Sequence, residues 1–336
     1  MDTIKKKIIA TWRREYKGFL LAFTIAIAAI LLSDFTPKWM NNILMALLGG
    51  IIIANAVKLP KDFQSGISYA SSKMLELSVV FLAFSINFLH IAQIGLQTFI
   101  AMSVILFLVL SFTIFYAKKT KEQDTSGWLI GFGTAICGSA AIAALAPTIS
   151  KNKEDAGIAM AVVNLLGTIG MLTLPLLLVQ LQCDLDKIGI LLGGTLHSVG
   201  NVAGSAYALN DQIGEVAITT KLARVALLTP GLIFFNFAFS KNDKTTDQSF
   251  SWSLPWYLIG FIAITIIGSI FQYPESLVDI MENIGKIILT VAMAAIGMKI
   301  SFPVLLKSGR KGLLFGLIVF VVQVVLYIIY LKFILP

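Results

Sequence analysis

Long apolar runs alternate with short polar or charged stretches along the whole chain. A helix needs roughly 20 apolar residues to cross about 30 Å of hydrocarbon. Runs of about that length lie near 18–35, 41–58, 68–88, 95–117, 127–149, 156–181, 188–209, 215–239, 253–271, 277–300 and 312–333. The pattern predicts an all-α polytopic membrane protein with eleven transmembrane helices.

Composition points the same way. Of 336 residues, 57% are hydrophobic and 13% charged, against roughly 25% charged in a soluble domain. Most of the surface must therefore face lipid. The net charge of +8 does not indicate nucleic acid. Lys and Arg sit in clusters between apolar runs and form no basic stripe on an amphipathic helix. Cys137 and Cys183 allow one disulfide at most, and His90 and His197 are the only histidines. With no HExxH, CxxC or Asp-rich motif, the chain lacks the makings of a metal centre.

Loop charge sets the expected orientation. If the N-terminus, with Lys5, Lys6, Lys7, Arg13, Arg14 and Lys17, is cytoplasmic, seventeen of the 26 Lys and Arg residues fall on that side. Lys38, Lys151, Lys153 and Lys332 fall on the other, and Lys73, Lys221, Arg224, Lys286 and Lys299 lie within spans. The C-terminus is then outside. The first run lacks a small-residue cleavage site and reads as a retained anchor, not a signal peptide.

Short segments recur in order. Leu47-Leu48-Gly49-Gly50 returns as Leu191-Leu192-Gly193-Gly194. Ser71-Ser72-Lys73-Met74-Leu75-Glu76-Leu77 returns as Thr219-Thr220-Lys221-Leu222-Ala223-Arg224-Val225, and Ala140-Ala141-Ile142 as Ala294-Ala295-Ile296. The expected organisation is a basic N-terminus with an anchor helix (1–40) followed by two five-helix repeats (41–184 and 185–336). Because five is odd, the second repeat enters the membrane inverted, an arrangement common among secondary transporters, whose sites lie at the repeat interface.

Candidate site residues are polar or small groups inside spans, which are costly there unless they serve the bundle interior or a cavity. In the fifth span, Gly131 to Ala141 is a run of small residues that either packs closely against a neighbour or marks a break lined by Thr134, Cys137, Gly138 and Ser139. In the tenth, Gly297 and Pro303 bracket Lys299, so a second break is expected there. Lys299 is either a snorkelling interfacial lysine or a site cation. In the seventh, His197 and Asn201 are four apart and share one face of a continuous helix, with Ser198 beside them. His197 is either a hydrogen-bonded structural residue or a site group able to carry a coupling proton. Lys221 and Arg224 open the eighth span; snorkelling would explain both, but Arg224 lies one turn deeper and is the better candidate for anion contact or an ion pair. Asn55, Asn87 and Asn164 read as helix–helix hydrogen bonders.

Several of these stretches carry a resemblance. Trp128-Leu129-Ile130-Gly131, Ile136-Cys137-Gly138-Ser139-Ala140-Ala141, Gly194-Thr195-Leu196-His197, Lys221-Leu222-Ala223-Arg224-Val225 with Pro230, and Ala292-Met293-Ala294-Ala295-Ile296-Gly297-Met298 resemble the YeiH-type membrane proteins, a bacterial inner-membrane family designated sulfate exporters. The likeness covers nearly the whole chain. It implies kinship with Na⁺/H⁺ antiporters and bile-acid:Na⁺ symporters, a panel and a core domain, and two crossing discontinuous helices. The chain departs from the family where Ser198 and Asn201 replace an acid and a glutamine, and where Ser85 and Glu76 replace basic residues.

The expected function is secondary transport of a small anion (sulfate, sulfonate or carboxylate) by alternating access, coupled to H⁺ or Na⁺, with no other cofactor. A homodimer fits this class. The rivals are an anion channel of the same fold and an intramembrane enzyme using Cys137 and His197.

Overall fold

The computed structural model describes residues 2–33, 35, 41–57, 59–85, 88–119, 125–149, 153–179, 184–239, 256–300, 310–333 and 335. Among these every regular element is helical, as expected where lipid offers backbone groups no hydrogen-bond partner. The helices are α1 (Asp2–Ser33), α2 (Asn42–Ala56), α3 (Lys61–Tyr69), α4 (Leu75–Leu82), α5 (Phe88–Lys119), α6 (Thr125–Ala135), α7 (Ser139–Ile149) and α8 (Lys153–Val179). They continue with α9 (Leu185–Thr195), α10 (Val199–Ala206), α11 (Asp211–Ala226), α12 (Leu228–Phe239), α13 (Trp256–Phe271), α14 (Glu275–Met298) and α15 (Arg310–Phe333). A π-helical turn, Ala70–Met74, joins α3 to α4.

The described residues of each of the eleven apolar stretches are mostly helical. Five described helical segments are long and apolar enough to cross a membrane alone: Glu15–Ser33, Gly95–Lys119, Asp155–Leu178, Glu275–Met298 and Lys311–Phe333. The others are shorter or divided. Helices α6, α7 and α9 have 11 residues each, about 16 Å at 1.5 Å per residue, so none of them crosses 30 Å of hydrocarbon alone. The protein is a multi-pass membrane protein.

The chain forms two compact units, both discontinuous in sequence: Met1–His90 with Ala203–Glu215 and Trp256–Val304, and Ile91–Val202 with Val216–Pro255 and Leu305–Pro336. In the first, α2 and α14 approach closely through glycine. A Cβ on Gly50 would strike the Ala294 carbonyl and one on Gly297 the Leu47 carbonyl, so backbone meets backbone there. Asn55 donates to the Ile300 carbonyl at 2.9 Å, the interhelical bond expected of it. In the second unit, α15 packs against α6, α8 and α9.

The breaks differ from expectation in one respect. The fifth stretch is interrupted at 136–138, as the small-residue run suggested. In the tenth, α14 runs to Met298 and is capped by Lys299, and the rest of the expected break, from Ser301 to Pro303, lies outside the described residues. Gly297 packs closely against α2. The second interruption is in the seventh stretch, between Thr195 and Val199. His197 and Asn201 therefore do not share one continuous helix face; His197 sits in the break and Asn201 in the first turn of α10.

Candidate functional site

A helix leaves its last four carbonyls and first four N–H groups without intrahelical partners. Two interrupted helices in one unit thus create four half-helix ends, two of each polarity. Deep in an apolar bundle every orphan carbonyl needs a donor.

Helix α6 ends at Ala135. Gly138, at φ +74°, suits a residue without a side chain, and its N–H reaches back to the Gly133 carbonyl at 2.8 Å. A Cβ there would also lie 3.3 Å from the His197 carbonyl. The carbonyls left over are those of Thr134, Ala135 and Ile136. On the other helix, Leu196 N–H closes α9 onto the Leu192 carbonyl at 3.0 Å, leaving Gly194, Leu196 and His197.

Two side chains of α11 take all six. Lys221 donates to the carbonyls of Ile136 (2.9 Å), Leu196 (2.8 Å) and His197 (2.7 Å). That uses every hydrogen of its ammonium group. Arg224 donates through Nε to Ala135 at 2.9 Å, through Nη1 to Gly194 at 2.7 Å and Leu196 at 3.0 Å, and through Nη2 to Thr134. Both side chains are fully buried. Gln323 of α15 adds a bond to the Gly194 carbonyl at 2.9 Å, and the ring of Tyr327 fills the space beside Gly194.

The pair therefore does not snorkel. It joins two helix C-termini, each a pole of partial negative charge, with two cations. Hydrogen bonds involving a charged group contribute about 1.5–3 kcal/mol each, which is why a lysine and an arginine persist inside a bundle.

With the carbonyl ends occupied, the opposite poles define the candidate site: the N-termini of α7 and α10. Ser139 opens α7 and donates to the Asn164 side chain of α8 at 3.3 Å. The Ala141 N–H is taken by the buried Cys137 Sγ. Ser198 caps α10, its Oγ accepting from the Asn201 N–H at 3.1 Å. His197 is 1% exposed, packs on the Phe320 ring with centroids 4.8 Å apart, and neither ring nitrogen has a hydrogen-bond partner among the described residues. Gly167 of α8 makes room for this group, since a Cβ there would collide with Asn201 and come within 3.2 Å of the His197 Cβ.

Of the residues singled out from sequence, Thr134, Cys137, Gly138, Ser139, His197, Ser198, Asn201 and Arg224 belong to this one unit. Gly297 and Lys299 belong to the other, where Lys299 Nζ donates to Ser71 Oγ at 3.3 Å. Lys221 was undervalued. The available signal was its i, i+3 spacing with Arg224, which places two cations on one face of the helix. Gln323 and Tyr327, a polar i, i+4 pair in the eleventh stretch, carried a similar signal.

The family model described as "Conserved hypothetical protein 698" matches residues 17–316. The UPF0324 membrane protein YdhF of Lactococcus lactis is 32% identical over 323 residues, covering 93% of this chain and 96% of that one. A UPF0324 membrane protein of Bacillus cereus is 30% identical over 90% of this chain and 87% of its own, and one of Bordetella pertussis 28% identical over 92% of each. No solved structure matches the chain.

Proposed function

Because the chain belongs to the family described as conserved hypothetical protein 698, the family of the YeiH-type membrane proteins it resembles, we propose that it is an inner-membrane secondary transporter of a small oxyanion such as sulfate, a sulfonate or a carboxylate, working by alternating access. The observation that carries this reading is the pair of interrupted helices whose second halves begin beside a buried imidazole with no hydrogen-bond partner among the described residues. Half-helix N-termini favour negative charge and present free N–H groups to an anion. Ser139, Asn164, His197, Ser198 and Asn201 surround that pole with further donors, and Lys221 with Arg224 keeps the ground beneath it positive.

Arg224 acts here as a positioning residue, since its guanidinium is committed to carbonyls. The anion contacts fall to the α7 and α10 starts and to His197.

The inverted repeat belongs to the same proposal. The recurring segments pack as trios: α2, the Ala70–Leu82 segment and α14 in one unit, and α9, α11 and the interrupted α6–α7 in the other. Eleven spans with the N-terminus inside follow from the loop charges. The test is a thermal-shift measurement on purified protein with millimolar sulfate, methanesulfonate or acetate, since a bound ligand stabilises the fold according to its concentration over Kd. At least one anion raises Tm in the wild type and not in H197A. If none does, the reading is overturned.

A further inference from the structure

We propose that the Lys221 ammonium holds the place of a coupling cation, so that the carrier moves its anion without binding Na⁺ or K⁺. This rests on the transport reading and specifies its coupling.

In transporters built on discontinuous helices, unwound carbonyls and half-helix C-termini coordinate the coupling ion. The corresponding position here is the meeting of two C-terminal ends, α6 at Ala135 and α9 at Thr195. The Lys221 nitrogen lies 2.9 Å from the Ile136 carbonyl oxygen, 2.8 Å from that of Leu196 and 2.7 Å from that of His197. These oxygens come from both interruptions, so the nitrogen sits between two helix ends. Three acceptors require three hydrogens, which only the protonated amine carries. The group is therefore an ammonium ion ringed by backbone oxygens, a monovalent cation close to K⁺ in size. Potassium filters use the same kind of ligand, carbonyl oxygens that replace the ion's hydration shell.

The chain delivers this cation on a tether. A Cβ on Gly193 would strike the Ala217 carbonyl, so α9 and α11 meet backbone to backbone one turn before Lys221, which fixes where its side chain starts. Lys221 is 0% exposed. Arg224 takes the carbonyls of Thr134, Ala135 and Gly194 and shares that of Leu196. None of the six carbonyls is left for a free ion, and the guanidinium repels one. A group held by its own chain is not diluted by solvent, so an ion from solution competes poorly for its place.

The same contacts distinguish a fixed cation from a proton carrier. Deprotonation would leave one of three buried carbonyls without a donor, so the geometry favours a nitrogen that stays charged. All of these groups lie within one unit of the chain.

The experiment compares full-length wild type, K221A and K221M in chloride salts of Na⁺, K⁺, NH₄⁺ and choline at equal ionic strength. One arm records Tm of the purified proteins. The other records wild-type counterflow in proteoliposomes, using whichever of sulfate, methanesulfonate and acetate stabilises the wild type. Wild-type Tm and counterflow are the same in all four salts. K221A opens the carbonyl ring and melts lower; NH₄⁺ or K⁺ recovers part of the loss as its concentration rises, and choline, too large for the ring, does not. K221M fills the space without charge and responds to none of them. A K221A protein indifferent to small cations, or wild-type counterflow that requires Na⁺ or K⁺, overturns the proposal while leaving the anion site standing. If the wild type exchanges none of the three anions, the anion reading fails, and the melting arm still decides whether Lys221 fills a cation site. Should K221A not fold, the wild type alone carries the test: a Tm raised selectively by Na⁺ or K⁺ sinks the idea, and equal values in the four salts support it.

Discussion

The two trios differ most where their sequences correspond. In one, Lys221 and Arg224 of α11 bind six backbone carbonyls and both partner helices stop mid-span. In the other, the corresponding residues are Lys73 and Glu76. They satisfy each other at 2.9 Å, with Glu76 also accepting from Trp256 Nε1, and α2 and α14 run uninterrupted. A helix in lipid can end mid-membrane only if donors are supplied for its last carbonyls. One substitution of charge, arginine against glutamate, separates the trio that has those donors from the trio that keeps them for itself.

The largest effect that would break this comparison is expected from R224A. It leaves the Thr134 and Ala135 carbonyls buried without donors, at about 1–3 kcal/mol each, so a drop in detergent Tm and in folded yield is expected. K221A follows closely, and K221M, which keeps volume but no donor, separates lost packing from lost hydrogen bonds. Next is G297L on the unbroken side. A side chain forced into the α2–α14 contact costs about 1–3 kcal/mol by overpacking, measurable as a lower Tm with anion binding retained. G167A should act more narrowly: its methyl meets Asn201 and His197, so anion-induced stabilisation is lost with little change in the unliganded Tm. The smallest effect belongs to K73A. Lys73 is half-exposed, and surface ion pairs contribute only about 0–1 kcal/mol, so its Tm stays near that of wild type. A K73A protein as unstable as R224A would show that the trios do not differ as described.

Much of this was legible in the residues. Apolar runs locate the helices, and the small-residue run at 131–141 locates one break correctly, because Gly138 at positive φ leaves a clear trace. The break in the seventh stretch was not expected, for a physical reason. Gly297 with Pro303 and Gly193-Gly194 look alike in sequence, since glycine serves both close helix packing and helix termination. What decides between them is whether donors reach the orphan carbonyls, and the donors for the 194–197 break arrive from Lys221 and Arg224, some 25 residues later. The same nonlocality hid Lys221, whose burial depends on two other helices.

The order of synthesis gives the Lys221–Arg224 clamp a role in biogenesis. Ribosomes deliver α6, α7, α9 and α10 before the residues that hold them together. Until α11 emerges, two half-helices face the bilayer with unsatisfied carbonyls, and neither can settle as a finished span. Their insertion must therefore wait for α11, so that this part of the protein is completed as a group rather than one helix at a time. A nascent chain arrested before residue 221 should leave the fifth and seventh stretches accessible to water-borne cysteine reagents, and a chain arrested well beyond residue 224 should protect them.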